Sequence, residues 1–509
     1  MSPEIPAKAD AVIVGGSIAG LAAAFALCRQ GLTVACLERD ATPMPEDHHA
    51  AWERWRRDGA GQTRHSHILL APLVNSIKAE LPDFFATLLA SGAEVLTFRD
   101  IADNTFEAPE FEPDDDRIEF LACRRVVFEF LLRRHLLESL SVAEFTFMSG
   151  ADVRRLRTVP DGNGQRVAGV TVKTPGGVAD IDAGIVVDAS GRNSRADRWL
   201  VAAGAEPAPR EDHPCGIFYT SRFYRLRDGA VYPPLNGRQS LTGGVAGVDL
   251  GYVKAGVFRS DNRTFSITLA ADPEDEPLRP IAREREFDVA SRLIAASRPW
   301  VDEAVSTPIS KVYLYGNLSN SRRRYFVDGR PLVAGLFAVG DASVHTNPLA
   351  GRGCALAWVS AFELADVLGD ESDPVQRAAA FEARNERRIV PWYEYQVDRD
   401  REAIAVNKAL QRGEDPFDFT RPDGSIDEDL YRRVILRKGL RFAAREDVRI
   451  LRLLFRQVSL LDPPGATDEH ADLAAVVLKG YERSKTEPEA RPGRAEFIAA
   501  LNGRVGTGG

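Results

Sequence analysis

Residues 9–40, ADAVIVGGSIAGLAAAFALCRQGLTVACLERD, decide the fold. Val12, Ile13 and Val14 are β-branched and sit among small residues, the composition of a buried parallel strand. The strand runs straight into Gly15-Gly16-Ser17-Ile18-Ala19-Gly20, and residues 21–28 are good helix formers. In that order, the N–H groups of the turn and the positive end of the helix dipole converge on one point, which suits an anion such as a pyrophosphate. Residues 33–37 supply a second strand. Glu38 closes it where a carboxylate meets a ribose diol, with Arg39 beside it. The middle glycine of a GxGxxG pattern falls at Ser17, whose hydroxymethyl adds little bulk and can donate a hydrogen bond. A tight βα turn in an ordinary α/β domain shares the turn; the strand and terminal acid in sequence point to a dinucleotide.

The chain has 509 residues, enough for two or three domains and an ample core. A hydrophobic content of 44% and a charged content of 27% are ordinary for a globular protein. The net charge of −9 and the lack of a basic patch with interleaved aromatics argue against a nucleic-acid partner and leave small molecules. Cys28, Cys36, Cys123, Cys215 and Cys354 are scattered and never spaced as CxxC, so a reducing cytoplasm and no metal site are expected. The first ten residues lack a basic region followed by an apolar run, so no secretion signal is expected. Residues 11–28 are apolar enough to imitate a membrane span, but the glycine cluster and flanking strand mark a buried βα unit.

Residues 41–70 read as a polar, irregular loop whose chemical content is Arg64, His65 and His67. Contact with a cofactor or substrate is one reading and a strand edge the other; metal ligation lacks a third ligand. A helix is expected over 75–93, a solvated acidic loop over 107–116, and a helix from about residue 124, where Arg125 either reaches a phosphate or faces solvent. Alternation over 154–178, with a turn at 161–164, reads as a hairpin or meander. Residues 183–187 form a further apolar strand ending in Asp188-Ala189-Ser190-Gly191-Arg192. Residues 215–226 and 240–270 alternate as an antiparallel sheet. The parallel pattern returns over 331–341, ending in Gly340-Asp341. A loop follows with His345, Pro348, Gly351, Arg352 and Gly353, then a helix over 354–368. This is a second anion-seeking helix N-terminus. Asp341 suits a sugar-alcohol hydroxyl, and the N–H groups of 351–353 suit a ring edge that gains negative charge on reduction. Beyond residue 384 the chain reads as helical. Arg437, Arg441, Arg445, Arg449, Arg452 and Arg456 recur every three or four residues, a basic face for solvent, a subunit or a membrane surface.

Three motifs together, VIVGGSIAGL, VVDASGRNSR and LFAVGDASVHTNPLAGRG, resemble those of flavoprotein monooxygenases of the para-hydroxybenzoate hydroxylase fold, in the branch of polyether epoxidases and flavin halogenase relatives. Order and spacing agree over about residues 10–370. The resemblance implies an α/β protein: a Rossmann-like FAD-binding domain (8–80, 120–200 and 328–385) interleaved with an antiparallel β-sheet substrate domain (81–119 and 201–327), plus a helical C-terminal region (386–509). It implies that Gly15, Gly16, Ser17, Ile18, Ala19 and Gly20 face the FAD pyrophosphate, with Glu38 and Arg39 at the ribose. Arg125 would contact the diphosphate and ribityl region, Asp188 the same cofactor, and Gly340 and Asp341 the ribityl chain. Pro348, Gly351, Arg352 and Gly353 would border the isoalloxazine, and Arg64 and His345 are the candidate catalytic residues. The implied reaction is reduction of FAD by NADPH or NADH, then O2 activation as a C4a-hydroperoxide that oxygenates a small apolar, aromatic or unsaturated substrate. A separate flavin reductase is an open partner. An FAD-dependent reductase, dehydrogenase or oxidase is the alternative. A halogenase would need a Trp-x-Trp-x-Ile-Pro segment that none of the six tryptophans supplies. A non-enzymatic binder would not need the Gly-Asp and Asn-Pro elements, and a plain NAD-dependent dehydrogenase leaves Gly340-Asp341 unexplained.

Overall fold

A strand buried on both faces has no use for alternation, and the apolar run Ala11–Val14 lies at the centre of a five-stranded parallel sheet. The computed structural model of the chain describes residues 5–162, 164–234, 246–466, 473–486 and 491–503. The order across the sheet is Leu336–Ala338, Ile185–Asp188, Ala11–Val14, Val34–Glu38 and Phe145–Ser149, with Ile13 between Cys36 and Val187. Three segments distant in sequence therefore deliver their carboxyl ends to one edge: Gly15 after the first strand, the turn after Asp188, and Gly340-Asp341 after Leu336–Ala338. Helices Ile18–Arg29 and Gly353–Asp370 pack together behind that edge, with Phe25 against Phe362 at 6.2 Å.

Two glycines are dictated by this packing. Gly15 has φ +107°, and a Cβ there would sit 2.6 Å from the Ala189 carbonyl oxygen; a Cβ on Gly20 would sit 1.8 Å from the Gly15 oxygen. The first forces the left-handed turn and the second lets the helix start directly under it.

A second, antiparallel sheet runs Ala246–Asp249, Val253–Arg259, Thr264–Ala271, Phe218–Leu226 and Ser306–Pro308, with Tyr313–Tyr315 also paired to Phe218–Leu226. Eight of the nine residues of Phe218–Leu226 are buried, because both faces are covered: the 61–70 segment meets Ser221 on one, and helix Glu284–Leu293 meets Arg222 and Tyr224 on the other. The alternating stretch forms a three-stranded meander, Asp152–Asp161, Gly164–Thr174 and Gly177–Asp182; Asn163 of its turn, and residues 240–245 of the second sheet, lie outside the described residues.

Several local expectations are corrected. The helix over 75–93 is two, Ala71–Glu80 and Pro82–Ala90, because a proline forces the preceding Leu81 out of helical geometry (φ −136°, ψ 53°). The loop over 41–70 contains the helix His48–Arg54, capped by Asp47 Oδ1 accepting from the Ala50 N–H at 2.8 Å. The arginine row is cut into helices Glu428–Ala443 and Val448–Val458, and four of its members pair with carboxylates of the same chain. Arg437 pairs with Asp249, Arg449 with Asp447 and Arg456 with Asp462. Arg452 is buried and makes a two-pronged pair with Asp115 at 2.7 and 3.0 Å, drawing one residue of the acidic stretch out of solvent. No helix among the described residues is long and apolar enough to cross a membrane.

The Asp115 side chain is 1% exposed, so removing its partner strands a buried carboxylate. Arg452→Met is expected to lower unfolding free energy by about 3–5 kcal/mol, measured by urea titration at pH 7, whereas Arg449→Met on the exposed face of the same helix should cost about 0–1 kcal/mol.

Candidate functional site

The glycine turn is held from below by a buried set of charges. Glu38 Oε2 accepts from the Gly16 N–H at 3.0 Å and from Arg57 Nη2 at 2.9 Å, and Oε1 accepts from the Asp40 N–H at 2.8 Å. Arg57 also donates Nη1 to Asp40 at 2.9 Å and Nε to Glu129 Oε1 at 2.6 Å. Glu129 comes from helix Arg125–Ser139; its other oxygen accepts from the Ser17 hydroxyl at 2.6 Å, and that hydroxyl accepts from Arg125 Nη2 at 2.9 Å. Arg133, one turn further on, donates to the Gly16 carbonyl at 2.8 Å and lies over Phe147 and Trp55. Three carboxylates and three guanidiniums thus close on one another. Burial alone would raise the Glu129 carboxyl, but Arg57, Arg125 and Arg133 outweigh it and bring it down to about 2. Arg133 is pulled down to about 10, by burial first and by Arg57 second.

Two groups at this edge remain unfilled. Arg125 is buried and its Nε has no hydrogen-bond partner among the described residues, a costly condition for a guanidinium. Asp341, half-buried, has no hydrogen bond or ion pair to its carboxylate among the described residues. Its Oδ1 is 4.0 Å from where a Cβ on Gly353 would stand, at the head of helix Gly353–Asp370. Neither that helix nor Ile18–Arg29 has a side-chain cap, so both first turns keep unsatisfied N–H groups.

Opposite them stand aromatic side chains of the second sheet. Tyr219 and Tyr315 face each other across paired strands with ring centres 5.6 Å apart, and Arg192 lies over Tyr315 at 4.9 Å. Burial, before any neighbouring charge, raises the phenol of each. His65 is set edge-on to Tyr219 at 4.8 Å and near Tyr313 and Tyr315. Its Nδ1 is 3.1 Å from Ser221 Oγ, Ser221 Oγ is 2.9 Å from Thr268 Oγ1, and Thr268 donates to Ser66 at 2.7 Å. Since the Thr268 proton is committed to Ser66, Ser221 donates to Thr268, and His65 Nδ1 donates to Ser221. The imidazole is then the Nδ1–H tautomer with Nε2 an open acceptor. Burial holds its pKa at about 4, so it is neutral near pH 7.

The expected site residues divide accordingly. The turn residues, Glu38, Arg125, Asp341 and the 348–353 loop lie along the sheet edge. Asp188 is fully buried, its pKa raised by burial, and its oxygens are committed to the Ser190 N–H and the Ser190 and Ser194 hydroxyls, so it builds the turn. Arg39 is exposed. Arg64 lies over Trp52 and donates to the Trp52 and Trp55 carbonyls, which fixes the loop that carries Arg57. His345 Nδ1 donates to the Ser319 carbonyl 2.6 Å away and lines a polar cavity of about 390 Å³ with Arg192, Arg210 and Asp212; no contact joins it to Arg64 among the described residues. Arg352 has its side chain between Trp392 and Tyr395 of helix Val390–Gln411. The sequence does not single out Arg57, Glu129 or Arg133; Glu129 and Arg133, four and eight residues after Arg125 on one helix face, are the available signal. No group of three or more His, Cys, Asp or Glu able to hold a metal occurs among the described residues.

Residues 13–44 match the family model of an NAD(P)-binding Rossmann-like domain. Protein Rv3254 of Mycobacterium tuberculosis (strain ATCC 25618 / H37Rv) is 28% identical over 393 residues, covering 73% of this chain and 77% of that protein. Among solved structures, p-nitrophenol 4-monooxygenase PnpA from Pseudomonas putida DLL-E4 superposes with a TM-score of 0.54 at 13% identity, covering 90% of this chain and 100% of that one. The "probable FAD-dependent monooxygenase" pqsL from Pseudomonas aeruginosa gives 0.53 at 18% identity, covering 79% and 97%. The chain has the fold of FAD-dependent monooxygenases of the para-hydroxybenzoate hydroxylase type.

The depressed carboxyl of Glu129 stabilises the folded state above the unfolded value near 4.5, and that contribution is lost as pH falls from there towards about 2. The loss amounts to about 3 kcal/mol. Glu129→Gln is expected to be less stable at pH 7 and to show a shallower fall between pH 5 and pH 3 than the parent, measured by urea unfolding at each pH.

Proposed function

We propose that this chain is an FAD-dependent oxidoreductase, and specifically a monooxygenase that uses NADPH or NADH and O2 on a small aromatic or unsaturated substrate. The observation that carries it is the pairing of unfilled groups at one sheet edge: a buried guanidinium nitrogen on Arg125 and a partnerless carboxylate on Asp341, each beside an uncapped helix N-terminus. An anion is wanted at the first and a hydroxyl donor at the second, the two ends of a ribityl diphosphate. Glu38 Oε1 accepts one bond from protein and keeps room for a ribose hydroxyl.

The residues fit the cofactor as follows. The 15–20 turn and Arg125 would hold the diphosphate, Asp341 the ribityl hydroxyls, and the first turn of Gly353–Asp370 the polar edge of the ring. FAD, when bound, supplies the two-electron chemistry towards the nicotinamide and O2. Tyr219, Tyr313 and Tyr315 would give the substrate an apolar, aromatic wall, and His65 Nε2 a single neutral acceptor for a donor on that substrate. The division into an FAD-binding part (8–80, 120–200, 328–385) and a substrate part (81–119, 201–327) belongs to the same reading.

The purified protein is expected to show flavin absorbance in the visible that bleaches on anaerobic addition of NADPH or NADH. Flavin that stays oxidised until an external reductase is added assigns reduction to a partner. A bleached flavin that reoxidises without ever oxygenating an aromatic substrate points to the reductase or oxidase alternative. No flavin uptake after FAD is supplied overturns the reading. Arg125→Ala, which removes a charged donor, should weaken FAD affinity by about 10–100-fold, measured by quenching of flavin fluorescence.

A further inference from the structure

Asp400 lies on helix Val390–Gln411, beyond the region that carries the three motifs, and is 3% exposed. No lysine, arginine or histidine forms an ion pair with it among the described residues. Three amides donate to it instead: Asn320 Nδ2 to Oδ2 at 2.8 Å, Gln396 Nε2 to Oδ1 at 2.8 Å, and Asn347 Nδ2 to both oxygens at 3.0 and 3.1 Å, with the Cys215 thiol also beside it. Only the NH2 end of an amide can face a carboxylate, so Asp400 fixes which way each amide points. With its NH2 so committed, Asn347 presents Oδ1 to the Leu349 N–H at 3.0 Å, and Asn320 presents Oδ1 to the Asn347 N–H at 2.7 Å. Gln396 presents Oε1 to Arg352 Nη1 at 2.7 Å, and the Arg352 guanidinium lies 4.8 Å over Trp392 and 5.4 Å over Tyr395. Residues 347–352 are therefore tied at both ends to one carboxylate. They lead directly into helix Gly353–Asp370, whose first turn stands beside Asp341.

We propose that Asp400 is a positioning residue for the cofactor site: by orienting Asn320, Asn347 and Gln396 it sets the 347–352 loop, so that the C-terminal helical region is part of the ring end of the site. The proposal rests on the FAD reading above. An asparagine at 400 has the right shape but turns an NH2 towards one of the incoming amides. A carboxylate moved one helical turn back, as Gln396→Glu with Asp400→Asn, would pair with Arg352 directly and accept from the new amide, leaving the remaining oxygen for Asn320 and Asn347.

The test uses the full-length protein, with FAD affinity read by quenching of flavin fluorescence and amide hydrogen exchange over residues 345–356 read on the FAD-free protein by mass spectrometry. Asp400→Asn and Asp400→Leu should each weaken FAD binding tenfold or more and speed exchange in 345–356 while leaving exchange in the parallel strands unchanged. The double variant Asp400→Asn/Gln396→Glu should return affinity to within threefold of the parent. Parent-like affinity and exchange in Asp400→Asn overturn the proposal. So does faster exchange throughout the chain, which would make Asp400 a residue of general stability. If Asp400→Leu fails to fold, Asp400→Asn and the double variant decide. If the parent takes up no FAD, the functional reading fails by itself, and exchange over 345–356 still decides whether Asp400 sets the loop.

Discussion

Glu129 is wholly buried among three arginines, and the placement of the whole dinucleotide-type turn depends on that neutralisation. A lone buried carboxylate would neutralise itself by taking up a proton; here the surrounding guanidiniums keep it charged. The consequence is positional. Glu129 draws Ser17 down, Ser17 holds Arg125, Arg57 joins Glu129 to Glu38, and Glu38 fixes the Gly16 N–H. The serine that replaces a glycine in the motif is thus a constructive substitution: its hydroxyl is the link between the turn and the helix that carries Arg125. Because Arg125 is held by Nη2 alone, its Nε is left presented without a partner.

The strand, turn and helix of residues 11–29 were legible in the sequence because their geometry is local. β-branched residues, a run of glycines and good helix formers each restrict their own backbone, and few arrangements satisfy all three. The charges were not legible for the opposite reason. Arg57 and Glu129 are 72 positions apart, and Ser17 and Glu129 are 112 apart. Nothing in the neighbourhood of either tells which carboxylate a given arginine will meet. Arg125 illustrates this: from the sequence a phosphate contact and a solvated side chain fit equally, and only the crossing of its helix beneath the turn removes the second.

The antiparallel sheet shows an intermediate case. Alternation locates the strand Phe218–Leu226 but not what covers it: the 61–70 segment crosses one face and brings His65 and Ser66 onto Ser221 and Thr268. The aromatic wall depends on register: Tyr219 stands opposite Tyr315 on one side and Ala270 on the other, and a slip of one residue would turn the ring to the opposite face. The hydroxyl chain then determines the tautomer of His65, a chemical property with no sequence signature. The fold commits Arg64 to two loop carbonyls and His345 to a strand carbonyl.

The C-terminal helices repeat the same physical rule with two different solutions. Asp115 is buried against a guanidinium from helix Val448–Val458, a direct pair that joins two segments. Asp400 is buried against amides, with its nearest loop cation, Arg352, held one side chain away across Gln396. A direct Arg352–Asp400 pair would satisfy both charges but orient nothing else. Inserting Gln396 between them leaves acceptor positions for Asn320 and Asn347, so one carboxylate sets four side chains and, through them, two backbone amides of the loop. The cost of burying a carboxylate without a contacting cation is met by hydrogen bonds from groups that carry no net charge, and those groups have only one orientation that works. Position, more than stabilisation, is what such an arrangement supplies, and it does so beside a helix N-terminus whose direction decides what the sheet edge can bind.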